Sequence, residues 1–339
     1  MNVAAQQIPS IPLVVLTGFL GSGKTTLLNR ALADPSMRDT AVIVNEFGEI
    51  GIDHLLVESV VDDVVLLASG CVCCSAGDDL GAALASMLMR RNGGALLPFQ
   101  RVVLETTGIA DPGSVLQRLL SDGALAAQIR VQAVVTVVDA VFGEAAMGRY
   151  PESASQVAMA NRLVISKLDL IEPSRIDSLL HCLQSVNPVA RIRFSGRDEP
   201  AAHDVLFGDA DSGLDPNAIF SLTHRPFHQR AARDHTNRYS TYCLSWDEPT
   251  DWRDFKAWLE GLLIARGDSI LRMKGVLQVA GRTQPVVVQA VQHALYPPKE
   301  LASWPQEARR SELVFITRDF SRAAALRSFC QCLPDVTAA

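Results

Sequence analysis

The chain has 339 residues, a length that favours two domains, and its apolar fraction of 48% with 20% charged residues is typical of a core-forming protein. The formal net charge of -6 disfavours a nucleic-acid-binding protein, because such proteins carry a basic surplus. No apolar run has the length of a membrane span and the N-terminus lacks a signal-peptide pattern, so we expect a cytoplasmic protein that binds neither nucleic acid nor membrane.

Short β-branched runs alternate with helical patterns from about residue 12 to residue 200. Several of these runs are apolar throughout, as strands buried on both faces must be. The predicted strands are 13–17, 41–45, 64–68, 102–105, 133–139, 163–166 and 191–194, and the predicted helices are 25–33, 78–91, 114–120 and 175–184. This alternation predicts an α/β fold with a doubly wound, mostly parallel sheet.

The alternation stops between residues 201 and 238, and a different pattern begins at Tyr239. It predicts strands at 239–246, 270–280, 285–290 and 313–317, an amphipathic helix from Trp252, and a closing helix capped by Ser321. We therefore predict an α/β domain over 1–222, a linker over 223–238 and a smaller α+β domain over 239–339.

Residues 18–25 read GFLGSGKT, which fits the phosphate-loop pattern G-x-x-x-x-G-K-[ST] between a predicted strand and a predicted helix. Glycines allow backbone N–H groups to turn onto phosphate oxygens, and the N-terminal end of the helix adds positive charge. Lys24 supplies a cation for the β- and γ-phosphates, and the Thr25 hydroxyl is a Mg²⁺ ligand. The pattern predicts a P-loop nucleotide hydrolase.

Glu105 and Gly108 end the strand at 102–105 within the sequence ETTG. A carboxylate there can hold Mg²⁺ through water, and the Gly108 N–H can sense a γ-phosphate. We therefore expect Lys24, Thr25 and Glu105 to form the catalytic set.

A base-reading element follows the strand at 163–166, where Ser166, Lys167 and Asp169 form the sequence SKLD. GTPases commonly carry Asn-Lys-x-Asp at such a strand end. The Asp169 carboxylate would accept hydrogen bonds from guanine N1–H and N2–H₂, which adenine cannot offer, and the Lys167 stem would lie over the base. Ser166 departs from the usual asparagine.

Cys71, Cys73 and Cys74 stand between a predicted strand and a helix. Thiols near a helix N-terminus favour the thiolate, and three thiolates on four residues can bind a soft or borderline ion such as Zn²⁺. A closed structural zinc site has four ligands, so this incomplete set favours metal exchange. Buried cysteines or a redox switch are the alternatives.

An acidic loop follows the second predicted strand, where a nucleotide-sensing switch belongs. Its Glu49 and Asp53 could supply a carboxylate to zinc or Mg²⁺, or could be solvated acids, and His54 is a weaker candidate. The three histidines of the linker, His224, His228 and His235, are interpreted as solvated.

Five segments occur together in one order: GFLGSGKTTLLNR, NEFGEIGID, GCVCC, ETTGIADP and SKLD. With the later LRMKG, the chain resembles the CobW/YjiA family of metal-handling P-loop GTPases over nearly its whole length. The resemblance implies a GTPase domain, a small α+β C-terminal domain, and zinc delivery to a metal-dependent client protein coupled to GTP hydrolysis. The segments are carried over to phosphate-binding residues Gly21, Ser22, Gly23, Lys24, Thr25 and Thr26, metal-binding residues Cys71, Cys73 and Cys74, and guanine-binding residues Lys167 and Asp169.

This chain departs from the family pattern at Ser166, at Val44, where some members carry an acid, and in lacking a long histidine-rich stretch. The expected ligands are GTP, GDP, Mg²⁺ and Zn²⁺, and the oligomeric state is left open, a homodimer included. An ATP-dependent small-molecule kinase and a thiol-based redox regulator are the alternatives. Asp169 argues against the first, and the second predicts thiol oxidation without metal affinity.

Overall fold

The computed structural model describes residues 10–45, 65–68, 79–195, 202–208, 239–304, 309–334 and 336. The chain divides into two compact units, and each is built around one β-sheet. The first unit comprises Met1–Gln156, Ala160–Ile176 and Arg191–Gly213, and the second comprises Val157–Met159, Asp177–Ala190 and Leu214–Ala339. The predicted boundaries at residues 222 and 238 lie outside the described residues and stay a prediction.

The first unit contains a seven-stranded sheet in the order β3-β2-β4-β1-β5-β6-β7, in which all neighbouring strands are parallel. The strands are β1 Ile11–Thr17, β2 Thr40–Asn45, β3 Val65–Ala68, β4 Arg101–Thr106, β5 Ile129–Asp139, β6 Arg162–Ser166 and β7 Arg191–Phe194. Val14, Val103 and Val135 of the three central strands are fully buried, because helices cover both faces of a parallel sheet. The predicted doubly wound fold is confirmed.

Eight α-helices are described between residues 24 and 206, and the sequence analysis did not predict four of them; residues 157–159 and 177–186 of these helices belong to the second unit. They are α1 Lys24–Leu32, α2 Asp79–Asn92, α3 Pro112–Ser121, α4 Gly123–Gln128, α5 Gly143–Arg149, α6 Pro151–Met159, α7 Pro173–Val186 and α8 Ala202–Leu206. The unpredicted helices are α4, α5, α6 and α8, which have only 6, 7, 9 and 5 residues. Three of them have seven residues or fewer, too short to show an apolar repeat. Helix α4 begins at a cap, where the Asp122 side chain accepts from the Ala124 and Leu125 N–H groups.

Strand order places the ends of several strands together around β1. Strands β4 and β5 flank β1, and the register pairs Leu16 of β1 with Glu105 of β4. On the other side, Asp139 at the end of β5 pairs with Ser166 at the end of β6. Because parallel strands end at the same edge of a sheet, the loops after β1, β4, β5 and β6 meet in one crevice.

The second unit contains an antiparallel sheet in the order β11-β10-β9-β13-β8, with β12 paired to β10. Its strands are β8 Tyr239–Trp246, β9 Ile270–Leu277, β10 Val286–Val291, β11 Ala294–Leu295, β12 Lys299–Glu300 and β13 Ser311–Arg318. Two of its helices, α9 Trp252–Arg266 and α10 Arg322–Cys332, pack on the sheet around the buried aromatic rings of Trp246, Phe255, Trp258 and Phe329.

These elements confirm the predicted α+β domain. The Ser321 hydroxyl caps α10 by accepting from the Ala324 N–H, as predicted. Strand β9 ends at Leu277, three residues before the predicted end, because Val279 pairs in an isolated bridge with Thr250 instead. Among the helices that the structure describes, none combines the length and apolar character needed to cross a membrane.

Candidate nucleotide-binding site

The phosphate loop leaves the end of β1 and enters the first turn of α1. All three of its glycines have positive φ angles, 146° at Gly18, 71° at Gly21 and 95° at Gly23. A Cβ atom added to Gly18 would lie 2.4 Å from the Val137 carbonyl oxygen, so only glycine fits there. Helix α1 begins at Lys24 directly after Gly23, and its first backbone N–H groups are therefore directed towards the loop.

Lys24 and Thr25 occupy the first turn of α1. The Lys24 side chain is buried, and its Nζ donates to the Gly18 carbonyl at 3.0 Å, so the ammonium reaches back over the loop. The Thr25 hydroxyl donates to Glu105 Oε1 at 2.9 Å, and Glu105 is only 5% exposed. Thr106 next to it donates to Thr17 Oγ1 at 2.9 Å, which holds the ends of β4 and β1 together.

The Gly108 backbone is packed directly against the phosphate loop. A Cβ atom added to Gly108 would lie 2.8 Å from the Leu20 nitrogen and Cα. The fully buried Gln156 of α6 holds this segment, since its Nε2 donates to the carbonyl oxygens of Gly108 at 3.1 Å and Ala110 at 3.0 Å. Sequence analysis missed Gln156, because it lies in a helix whose pattern gave no signal.

The base-reading element contacts the phosphate loop from the other side. The Ser166 hydroxyl donates to the Ser22 carbonyl at 2.6 Å, so serine still reaches the loop although it replaces asparagine. Lys167 has a left-handed backbone with φ of 57°, and its Nζ donates to the Gly21 carbonyl at 2.7 Å and to Asp139 Oδ2 at 2.7 Å. Asp169 is exposed in the 3₁₀ turn Leu168–Leu170, outside the lining of the cleft.

A cleft of about 350 Å³ lies between these segments. It brings together most of the residues predicted to bind nucleotide. Its lining is Leu20, Gly21, Gly23, Lys24, Thr25, Thr26, Asn29, Val44, Glu105, Thr106, Thr107, Gly108 and Lys167. The oxygen atoms of Thr25 and Glu105 in this cleft are the ligand types that Mg²⁺ prefers, so the donor set fits the ion.

The predicted zinc ligands Cys71, Cys73, Cys74 and Glu49 lie outside the described residues, as does Asp53. Within the described part of the chain, no group of three His, Cys, Asp or Glu side chains could hold a metal ion. The zinc site therefore stays a prediction from sequence.

A parallel sheet with a phosphate loop at the end of its central strand defines a P-loop nucleotide-binding protein. The family model described as "CobW/HypB/UreG, nucleotide-binding domain" matches residues 12–194, and that described as "Cobalamin synthesis protein cobW C-terminal domain" matches residues 239–333. The chain belongs to this CobW/HypB/UreG family.

Two relatives and one solved structure match nearly the whole chain. The zinc chaperone YjiA of Escherichia coli strain K12 is 33% identical over 307 residues, which cover 90% of this chain and 93% of that protein. The zinc chaperone CobW of Sinorhizobium sp is 25% identical over 359 residues, covering 97% and 98%. The crystal structure of Zn(II)-bound YjiA GTPase from E. coli superposes with a TM-score of 0.68 at 28% identity, covering 98% of this chain and 99% of that one.

Proposed function

We propose that this chain is a GTP-hydrolysing metallochaperone, which binds zinc through Cys71, Cys73 and Cys74 and transfers it to a client protein. The proposed GTP hydrolysis rests on the 2.9 Å contact between Thr25 Oγ1 and Glu105 Oε1 beside the phosphate loop. The proposed zinc binding and transfer are supported by the names of the relatives, zinc chaperone YjiA and zinc chaperone CobW. We assign the protein to the cytoplasm, where thiols are kept reduced.

Lys24 and the phosphate loop would bind the triphosphate. The Lys24 ammonium lies over the loop at 3.0 Å from the Gly18 carbonyl, where β- and γ-phosphate oxygens would meet it. The Gly108 N–H would contact the γ-phosphate, because its backbone packs against Leu20 of the loop. Guanine would be bound by the Lys167 stem and the Asp169 carboxylate.

Thr25 and Glu105 are the residues that would hold Mg²⁺. When bound, this ion would supply positive charge that neutralises the negative charge developing on the phosphates during hydrolysis. The near-complete burial of Glu105 keeps its carboxylate in a fixed position for this role. The hydroxyl of Thr25 already points at that carboxylate.

Hydrolysis by the chain alone should be slow. The described residues that line the cleft include no arginine, the side chain that accelerates GTP hydrolysis in many GTPases. By comparison with unassisted switch GTPases, we expect a turnover below about 1 per second. A client protein or bound metal would then raise the rate.

Zinc affinity should depend on the bound nucleotide. The segments that carry Glu49 and the cysteines follow predicted parallel strands, whose ends share the edge where the phosphate loop lies. A γ-phosphate that orders the acidic loop would add or withdraw one carboxylate ligand. Such a change should alter zinc affinity by about tenfold, and linkage requires that zinc change the affinity for GTP by the same factor.

Competition with a zinc-chelating dye tests the proposal in GDP and in a non-hydrolysable GTP analogue. The native chain should show about tenfold different zinc affinities in the two nucleotides. Cys73→Ala should weaken zinc binding and abolish the difference, while Cys330→Ala, which changes an exposed thiol of α10, is the matched control. Lys24→Ala should keep zinc binding but lose its response to the triphosphate.

Equal zinc affinity in both nucleotides would make the cysteine site structural and would contradict coupled delivery. A chain that prefers ATP and phosphorylates an acceptor would support the kinase alternative. Thiol oxidation without zinc affinity would support the redox alternative.

A further inference from the structure

Asp139 ends β5 beside the base-reading element, and both of its carboxylate oxygens are engaged. Oδ1 accepts from the backbone N–H groups of Val141 at 2.7 Å and Phe142 at 3.2 Å. Oδ2 lies 2.7 Å from Lys167 Nζ, in an ion pair whose carboxylate side chain is only 10% exposed. One oxygen therefore fixes the turn before α5, and that turn holds the other oxygen towards Lys167.

Lys167 is held from several directions. Its backbone has a positive φ of 57°, a conformation that a non-glycine residue keeps only when its surroundings enforce it. Its Nζ bridges the Gly21 carbonyl and Asp139, each at 2.7 Å. The ammonium thus joins the phosphate loop to the end of β5, and the four-carbon stem between backbone and ammonium is fixed at both ends.

We propose that Asp139 is a positioning residue for nucleotide binding, which holds the Lys167 stem in place as the surface on which the purine ring lies. The inference rests on the proposed function, in which Lys167 covers the base. A free lysine side chain has four rotatable bonds, and ordering it before the ligand arrives lowers the entropic cost of binding. Asp139 does not read the base, so its effect should be equal for guanine and xanthine nucleotides.

The alternative is that Asp139 only caps the turn before α5. Asp139→Asn separates the two roles, because an asparagine keeps the Oδ1 acceptor for the turn but loses the negative charge opposite Lys167. Asp139→Ser is a second variant, since serine also caps and places no amide group near the ammonium. Asp122→Asn is the matched control, because Asp122 caps α4 in the same way and does not line the cleft.

The experiment measures the dissociation constants of fluorescent GDP and XDP analogues for the full chain, and KM and kcat for GTP. Asp139→Asn and Asp139→Ser should weaken both analogues by about tenfold, as the loss of one partly exposed charge-assisted hydrogen bond implies. KM should rise by a similar factor while kcat stays within about twofold. A variant that had only lost folding stability would not show a raised KM together with an almost unchanged kcat.

A double-mutant cycle with Lys167→Met shows whether Asp139 acts through Lys167. The double variant should bind GDP no more weakly than Lys167→Met alone, since Asp139 then has no lysine to position. Native-like GDP binding by both Asp139 variants would overturn the inference. It would also be overturned if the double variant lost as much binding free energy for GDP as the two single variants lose together. If the native chain binds no guanine nucleotide, the proposed function itself is wrong, and the inference falls with it.

Discussion

At the scale of single residues, the base-reading element separates what motif analysis can predict from what it cannot. The sequence SKLD predicted the roles of Lys167 and Asp169, yet Ser166 left the contact with the phosphate loop open. The structure shows that the Ser166 hydroxyl donates to the Ser22 carbonyl at 2.6 Å. A short hydroxyl side chain suffices here because the end of β6 lies against the loop.

Replacing Asp169 tests the choice of base. In Asp169→Asn, an amide donor replaces the carboxylate acceptor that guanine N1–H and N2–H₂ would meet. GTP affinity should therefore fall by about tenfold to a hundredfold, and XTP, which has a carbonyl at C2, should gain relative to GTP. Titration of the two nucleotides against both chains measures the ratio, and equal native affinities for GTP and ATP would contradict the assignment.

At the scale of elements, α6 holds the segment after β4 through one side chain. Gln156 donates two hydrogen bonds to the carbonyl oxygens of Gly108 and Ala110, although 48 and 46 residues separate them in the chain. Motif analysis is local along the sequence, so contacts over such separations are invisible to it. For the same reason it did not identify Asp139 as the partner of Lys167, 28 residues further along the chain.

Gln156→Leu should loosen the segment that contains Gly108. Leucine fills a similar volume without donors, so the buried Gly108 carbonyl and the partly buried Ala110 carbonyl lose their partner. The free energy of unfolding should therefore fall by about 1–3 kcal/mol. Affinity for a non-hydrolysable GTP analogue should fall more than affinity for GDP, because only the former has a γ-phosphate for Gly108 to contact.

Urea unfolding and nucleotide titration measure both effects of Gln156→Leu. The matched control is Gln128→Leu, which changes an exposed glutamine that donates to Ala124 within its own helix. This control should change the free energy of unfolding by less than about 0.5 kcal/mol. An equal loss of GDP and GTP-analogue affinity in Gln156→Leu would indicate a purely structural role.

Strand β8 of the second unit carries a thiol whose titration affects stability. Burial, reinforced by the negative charge of Glu312, raises the pKa of Cys243 from 9.0 to about 12. The folded state therefore keeps the thiol protonated at pH values where the unfolded chain releases the proton. This contribution to stability is complete below pH 9 and is lost as the pH rises towards about 12.

Comparison of the native chain with Cys243→Ala isolates that contribution. Between pH 8 and pH 10 the native free energy of unfolding should fall by about 1.4 kcal/mol more than that of the variant. Urea unfolding at the two pH values measures the difference, and Cys330→Ala is the exposed-thiol control. An identical pH dependence of the native chain and Cys243→Ala would show that the thiol titrates alike in both states.

At the scale of the whole molecule, the sequence predicted the type and order of the two sheets better than the ends of their elements. Apolar runs such as 163–166 lie within a buried strand, because a parallel sheet demands apolar side chains on both faces. Strand β5 begins at Ile129, four residues before its predicted start at Ala133, because its first part contains the polar Arg130 and Gln132. Gln132 is buried but donates to the Phe207 carbonyl, a partner that only the folded chain provides.

The division of the chain at residues 222 and 238 remains our proposal. The first family model ends at residue 194 and the second begins at residue 239, which supports a connecting segment between the two domains. The composition of that segment, rich in Gly, Asp, His and Arg, is typical of a linker.

The contrast between Gly18 and Gly21 limits how the phosphate loop can diverge during evolution. At Gly18 any side chain would clash with the Val137 carbonyl oxygen, so this position accepts no other amino acid. At Gly21 nothing lies within 4 Å of the added Cβ, and only the φ angle of 71° selects against other residues. Asparagine tolerates that angle, so a lineage could exchange Gly21 and keep a folded loop. The strictest limit on which residues this loop can accept during evolution thus comes from Val137 of the neighbouring strand β5.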